Sequence, residues 1–251
     1  MNYGTKVQLL NLYNHVIGIS GLIYVFMTEQ YNWLWFILIG YLFIGLFGAN
    51  ISMHRYLSHK SFQTGKLRDV FLKYVSILCC FGSPISWCAL HRHHHAHSDT
   101  EHDIQNPKLI GKIKSWFALY PDVNIKPKLI SDLLRDKHIK VIHKHYFKII
   151  FTISILLILV NPLFYIFAWI IPAVLCFHGA AAIGVIPHLE RMGYRVTNTK
   201  DDSVNSPLAS LLSLGEGWHN YHHAYPHHYR QGTKWWELDP SAFIIEKLFK
   251  C

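Results

Sequence analysis

An all-α integral membrane protein is the fold class that the sequence predicts: four transmembrane helices in two hairpins, with a cytoplasmic helical cap that holds a histidine-rich centre. Three observations predict it. The 251 residues are 51% hydrophobic and 15% aromatic with only 16% charged, more apolar than one soluble domain requires. Four long windows carry almost no charge. The lysines and arginines gather between the second window and the third.

The first two windows, residues 7–27 and 33–53, are long enough to cross a bilayer core of roughly 30 Å at ~1.5 Å per helical residue. The first is too long for a secretory leader and lacks a basic n-region and a small-residue cleavage site, so it reads as a retained span. Residues 147–160 and 163–187 form the second hairpin, split by Asn161-Pro162, a pair that breaks a helix and opens a turn. Fifteen of the 24 Lys and Arg lie between Arg55 and Lys144, whereas the turns at 29–32 and 161–162 hold none. By the positive-inside rule the large loop and both termini are cytoplasmic. The chain then reads as a single membrane domain, 1–251, with its cap in residues 54–146 and 188–251.

A further apolar stretch, Val70 to Leu90, competes as a fifth span. Lys73 and the Gly82-Ser83-Pro84 break argue against a continuous crossing, and an amphipathic segment at the interface or against the cap is expected. The formal charge of +9 flanks the spans without any nucleic-acid recognition motif, so nucleic acid is excluded and anionic lipid heads or acidic partners are favoured. Cys79, Cys80, Cys88, Cys176 and Cys251 form no CxxC pair, which suits a reducing compartment and packing roles and offers no thiolate metal site.

The cap segments carry the chemistry. In "HRHHHAHSDTEHD", six of thirteen residues are histidine. His91, His94 and His95 have the i, i+3, i+4 spacing that puts three imidazoles on one helical face, with His93 and His97 pointing elsewhere. The spacing recurs in "GEGWHNYHHAYP" as His219, His222 and His223. In "HRYLSH", His54 and His59 are five apart, about 140° around an α-helix, so they feed different metals or straddle a helix end. His188 follows the last span directly. All nine emerge on the predicted cytoplasmic side. Nine nitrogen donors are too many for one zinc, whereas two ions of five or six coordination fit the count, and imidazole suits iron as well as zinc and copper. A redox pair of irons makes fullest use of such a set. Asp99, Glu101, Asp103 and Glu216 are candidates to hold the second ring nitrogens of these histidines, Glu216 reading equally as a helix-start charge. Trp87, Trp116 and Phe117 are candidates to line a substrate channel or to serve as ordinary packing. Arg55, Arg92 and Lys234 read as surface or snorkelling cations.

The order "HRYLSH", "HRHHHAHSDT", "GEGWHNYHHAYP" behind paired spans, followed by "KWWELDP", resembles the membrane fatty acyl desaturases of the delta-9 type, from about Gly48 onward. The resemblance implies that His54, His59, His91, His94, His95, His188, His219, His222 and His223 ligate two Fe ions. It also implies that the reaction introduces a cis double bond into a saturated long-chain acyl group, most simply at delta-9, using O2. Members often have an asparagine, holding a metal-bound water, four residues before the lone histidine; here that position is Gly184. With no fused electron-carrying domain and no GxGxxG visible, electrons are expected from an external ferredoxin or cytochrome b5 type donor. The acyl group is expected on coenzyme A, on acyl carrier protein or in a lipid of the bilayer. Similar histidine boxes serve membrane hydroxylases, the alternative reaction. A non-catalytic metal carrier fits less well, since a transporter places its ligands near the bilayer midplane within broken spans.

Overall fold

A computed structural model describes residues 2–121 and 123–250; Cys251 lies outside the described residues. Among the described residues, four helices are long and apolar enough to span a membrane. Helix α1 (Tyr3–Met27) starts where the Asn2 side chain accepts from the Thr5 amide. Helix α2 (Tyr31–Ser58) follows after a turn in which Glu29 takes φ 55°. Helices α3 (Lys66–Val75) and α4 (Pro84–His97) follow. Two short helices, α5 (Pro107–Ile110) and α6 (Lys112–Trp116), lead to α7 (Lys137–Val160). The Asn161 side chain then caps α8 (Pro162–His188) through the amides of Leu163 and Phe164. The C-terminal cap carries α9 (Pro207–Leu212), α10 (His219–Ala224) and α11 (Pro240–Ile244).

The helices outrun the apolar windows. Helix α7 begins at Lys137, ten residues ahead of the expected boundary, and α2 continues through His54 to Ser58. Hydropathy marks the depth of the bilayer, and a helix needs only its own backbone hydrogen bonds to project beyond it. The span helices leave large apolar side chains on their outer faces, among them Leu12, Ile19, Trp35 and Leu159. Their inner faces approach closely: a Cβ on Gly40 of α2 would lie 2.5 Å from the Ala168 carbonyl oxygen of α8, so only glycine permits this crossing.

The stretch 70–90 is not one straight helix. The segments Lys66–Cys79 and Pro84–His97 meet at 83°. Cys80 adopts a left-handed φ of 59°, Ser83 caps α4 by accepting from the Ser86 amide, and Pro84 occupies its first turn. The bend is held from two sides, because Tyr146 of α7 accepts from the Gly82 amide at 3.1 Å and Trp169 of α8 donates to the Leu78 carbonyl at 2.8 Å. Lys73 is buried and bridges Asp69 and Asp136 at 2.7 and 2.6 Å, pinning α3 to the start of α7. Burial opposes its charge, and the two carboxylates outweigh burial and raise its pKa. Cys79, Cys80, Cys88 and Cys176 are free and buried.

Candidate metal centre

The histidines sort themselves by helix geometry into two groups. From Ile44 to Ser58 helix α2 is wound wide, with hydrogen bonds five residues apart, and the His59 amide donates to the His54 carbonyl at 3.1 Å. Residues five apart therefore share one side of this helix, and His54 and His59 fall in the same group. The 140° separation expected of an α-helix does not apply. Helix α4 sends His91 and His95, an i, i+4 pair, to that group and His94 to the other. Helix α10 does the reverse, sending His219 and His223 to the second group and His222 to the first. His188, at the end of α8, completes the second group and is fully buried. Within each group, one donor atom per residue lies within 4.8 Å of all the others: five histidines (54, 59, 91, 95, 222) and four (94, 188, 219, 223). All nine predicted donors are thus gathered, while His93 reaches the His102 carbonyl outside both groups.

The ring protons point outward. His54 Nδ1–H donates to Glu216 at 2.5 Å, His94 Nδ1–H to Asp103 at 2.9 Å, His188 Nδ1–H to Asp99 at 2.9 Å and His223 Nδ1–H to Asp201 at 2.9 Å. Each such bond leaves a lone pair on Nε2 aimed inward. The inward nitrogens then crowd one another: His54 to His222, His91 to His95, His95 to His222 and His188 to His219 are each separated by 3.1 Å. Nε2 of His223 and Nδ1 of His219 are buried without any partner. Burial, followed by the neighbouring imidazoles, pushes His91, His95, His219 and His222 well below the ordinary histidine range. His223 is lowered to about 4 by burial, against the opposing pull of Asp201. Imidazole nitrogens facing one another in a buried space, with unpartnered nitrogens among them, are the donor set that a borderline cation satisfies, so the residues of each group fit a metal ion.

Several sequence expectations change. Glu101 is not a partner of these rings: its side chain is 85% exposed and lies 3.7 Å from His102 alone. The left-handed turn at Asp99, with φ 58°, aims Asp99 inward and lets the following residues swing out. Asp201 takes the place expected for it. That role was not legible because Asp201 stands 22 positions from His223 in an irregular loop, whose own bonds (Thr199 and Ser203 to Asp201) shape the turn. Arg55 is no surface cation. It is 1% exposed, donates twice to Glu216, and pairs with Asp239 at 2.9 Å. Burial opposes ionisation of Glu216, and Arg55 and then His54 outweigh it and hold the carboxyl low. Arg92 likewise turns inward, donating to the Leu57, Ser58 and Leu129 carbonyls and to Asp132. Lys234 does lie at the surface, over the rings of Tyr194 and Trp236.

A cavity of about 330 Å³ opens beside the centre and is bounded by His54 and His91 of the first group and by His94 and His219 of the second. Trp87, stacked on His91 with centroids 4.8 Å apart, lines it, as does Trp116. Phe117 does not line it: the ring lies against His178 and is 46% exposed, because the helix ends at Trp116 and the chain turns outward. Away from the histidines the walls are mostly apolar, with Phe81, Leu90, Ile183 and Leu214 among them. Gly215, at φ 104°, makes the turn before Glu216, and a Cβ there would meet Pro240 at 2.9 Å. Gly184 also faces the cavity, and a Cβ on it would meet nothing within 4 Å.

The family model described as fatty acid desaturase matches residues 32–242. An sn-1 stearoyl-lipid 9-desaturase of Anabaena variabilis is 30% identical over 91% of the chain and 85% of its own length. An acyl-CoA C20 Delta5-desaturase of Anemone leveillei is 30% identical over 93% and 78%. The delta-9 acyl-lipid desaturase 2 of Arabidopsis thaliana is 31% identical over 80% and 67%. With a matching family model across most of its length and the boxes of both histidine groups inside the match, the chain belongs to the fatty acid desaturase family.

Proposed function

We propose that this protein is an O2-dependent acyl desaturase that places a cis double bond, most simply at delta-9, in a saturated long-chain acyl group. One observation carries the reading: two members of each histidine group form the wall of a single, mostly apolar cavity. A methylene C–H bond does not yield to acid, base or nucleophile, and two iron ions held by these groups would supply the dioxygen chemistry that such a bond requires. His54, His59, His91, His95 and His222 would hold one ion, and His94, His188, His219 and His223 the other.

The remaining work belongs to the chain. Glu216, Asp103, Asp99 and Asp201 keep the protons of four rings on Nδ1 and so hold each Nε2 ready as a donor. Arg55 balances the charge of Glu216 in the dry interior. Trp87 and the apolar walls hold an acyl chain against the histidine wall and exclude water, converting the encounter of chain and centre into a positioned, unimolecular event. Electrons come from a separate ferredoxin or cytochrome b5 type protein. The centre and both termini face the cytoplasm, in keeping with the excess of lysine and arginine between the hairpins.

The test is the fatty-acid profile of a desaturase-deficient host that expresses the chain together with an electron donor, with double bonds located by mass spectrometry. A monounsaturated acid is expected, absent with His94→Ala, whose purified protein also loses iron. A hydroxy acid in its place would transfer the assignment to a hydroxylase.

A further inference from the structure

Beyond the histidine centre, the cavity extends between the first turns of α1, where Gly4, Val7 and Asn11 line it, and the cytoplasmic half of α8, where Ala181 and Gly184 do. Trp116 also lines the cavity, and α6 packs along α8. Beneath it the two spans touch through a pair of histidines that the metal groups do not use. Ionisable side chains within spans are costly and call for a role.

Their hydrogen bonds have a single direction. The Trp116 indole can only donate, and it donates to Nδ1 of His178 at 3.0 Å. The Asn11 carbonyl can only accept, and it takes the Nδ1 proton of His15 at 2.7 Å. With both ends fixed, the 3.1 Å contact between the two Nε2 atoms has one neutral arrangement, His178 donating to His15. One chain of bonds therefore runs from α6 through α8 to α1.

The outer side of the same segment is built for lipid. Ile113 is 75% exposed, and Phe117 and Leu119 are exposed with it. Exposed Lys112 and Lys114 flank Ile113, a pairing of cations and an apolar side chain that suits phosphodiesters above an acyl layer. Inside, no lysine or arginine is among the described residues that line the cavity, and its carboxylate Glu216 is already engaged by Arg55 and His54. Nothing on that lining matches a polyanionic carrier.

We propose that residues 112–119 form a lipid-facing hatch over the slot between α1 and α8, latched by the Trp116–His178–His15 chain, through which the acyl chain of a membrane glycerolipid enters. The proposal rests on the desaturase reading and names the form in which the acyl group arrives. The test is photolabelling of iron-loaded protein under anaerobic conditions, so that turnover plays no part. One arm uses vesicles of phosphatidylcholine bearing a diazirine at an acyl terminus; the other uses the corresponding diazirine acyl-CoA. The lipid probe is expected to label cavity residues, several-fold faster in Trp116→Phe and His178→Phe, which loosen the latch, and much more slowly in Val7→Trp, which fills the slot. Iron content reports that each variant is folded. Labelling of the cavity by the acyl-CoA probe alone, or rates indifferent to all three substitutions, would overturn the proposal. Normal lipid labelling in a protein that yields no unsaturated product would instead overturn the desaturase reading and leave the hatch standing.

Discussion

Asp201 matters because of what it takes from His223. By holding the Nδ1 proton at 2.9 Å it fixes the tautomer and orientation of a ring whose other nitrogen is buried and unpartnered. Its carboxyl is held far below the usual range: burial opposes this, but His223 and the hydroxyls of Ser203 and Thr199 outweigh it. Replacing such a partner typically costs about 10–100-fold in metal affinity. Asp201→Asn is therefore expected to release iron at correspondingly lower chelator concentration, whereas Glu101→Gln, altering an exposed side chain, retains iron like the unaltered protein; a chelator titration read by metal analysis checks both. Eight of the histidines were legible because box spacing is local, and His188 because it directly follows the last span. Asp99, Asp103 and Glu216 were legible because each lies within a few residues of a box. Asp201 and Arg55 were not, since their partners come from loops and helices far along the chain, a relation that no period records.

At the level of elements, hydropathy located all four spans and their hairpin-turn ends, and missed the other end of the first three, where polar turns extend the helix beyond the apolar window. The i, i+3, i+4 argument put three imidazoles of each box on one face and left their division open; the structure shares each such face between two groups. The second half of helix α2, Ile44–Ser58, departs from the α-helical wheel through its wide winding, and His54 and His59 straddle its end, with His59 as the capping residue. The seat of α4 against α2 depends on Arg92, whose guanidinium joins the Leu57 and Ser58 carbonyls to Asp132. Burial opposes the Asp132 charge, and Arg92 and Lys60 outweigh it, so the folded carboxyl titrates below its unfolded value of about 4. A depressed carboxyl contributes stability that is present above its unfolded pKa and lost as pH falls toward the folded one. Asp132→Asn is accordingly expected to melt lower than the unaltered protein at pH 7, with the gap narrowing as the pH is taken below ~4. Thermal unfolding in detergent at the two pH values measures it, and a constant gap would show that the carboxylate charge is not what seats α4.

For the molecule as a whole, two hairpins place every histidine of both groups at one end of the bundle, at or beyond the ends of α2 and α8. Tags at residue 2 and residue 250 are expected to be protected in sealed right-side-out vesicles and labelled in inverted ones, whereas a cysteine at the 161–162 turn gives the opposite pattern. Labelling of all three from one side would refute the two-hairpin orientation. The division of the histidines also has a mechanical consequence. Helices α4 and α10 each contribute to both groups, in the complementary ratios of two to one and one to two. A tilt or slide of either helix carries donors of both groups together, so the span from one group to the other behaves as a dimension of two rigid rods and not as a gap between separate parts. Residues 112–119 contribute to neither group, and a swing of that segment leaves this ruler unbent while lipid passes.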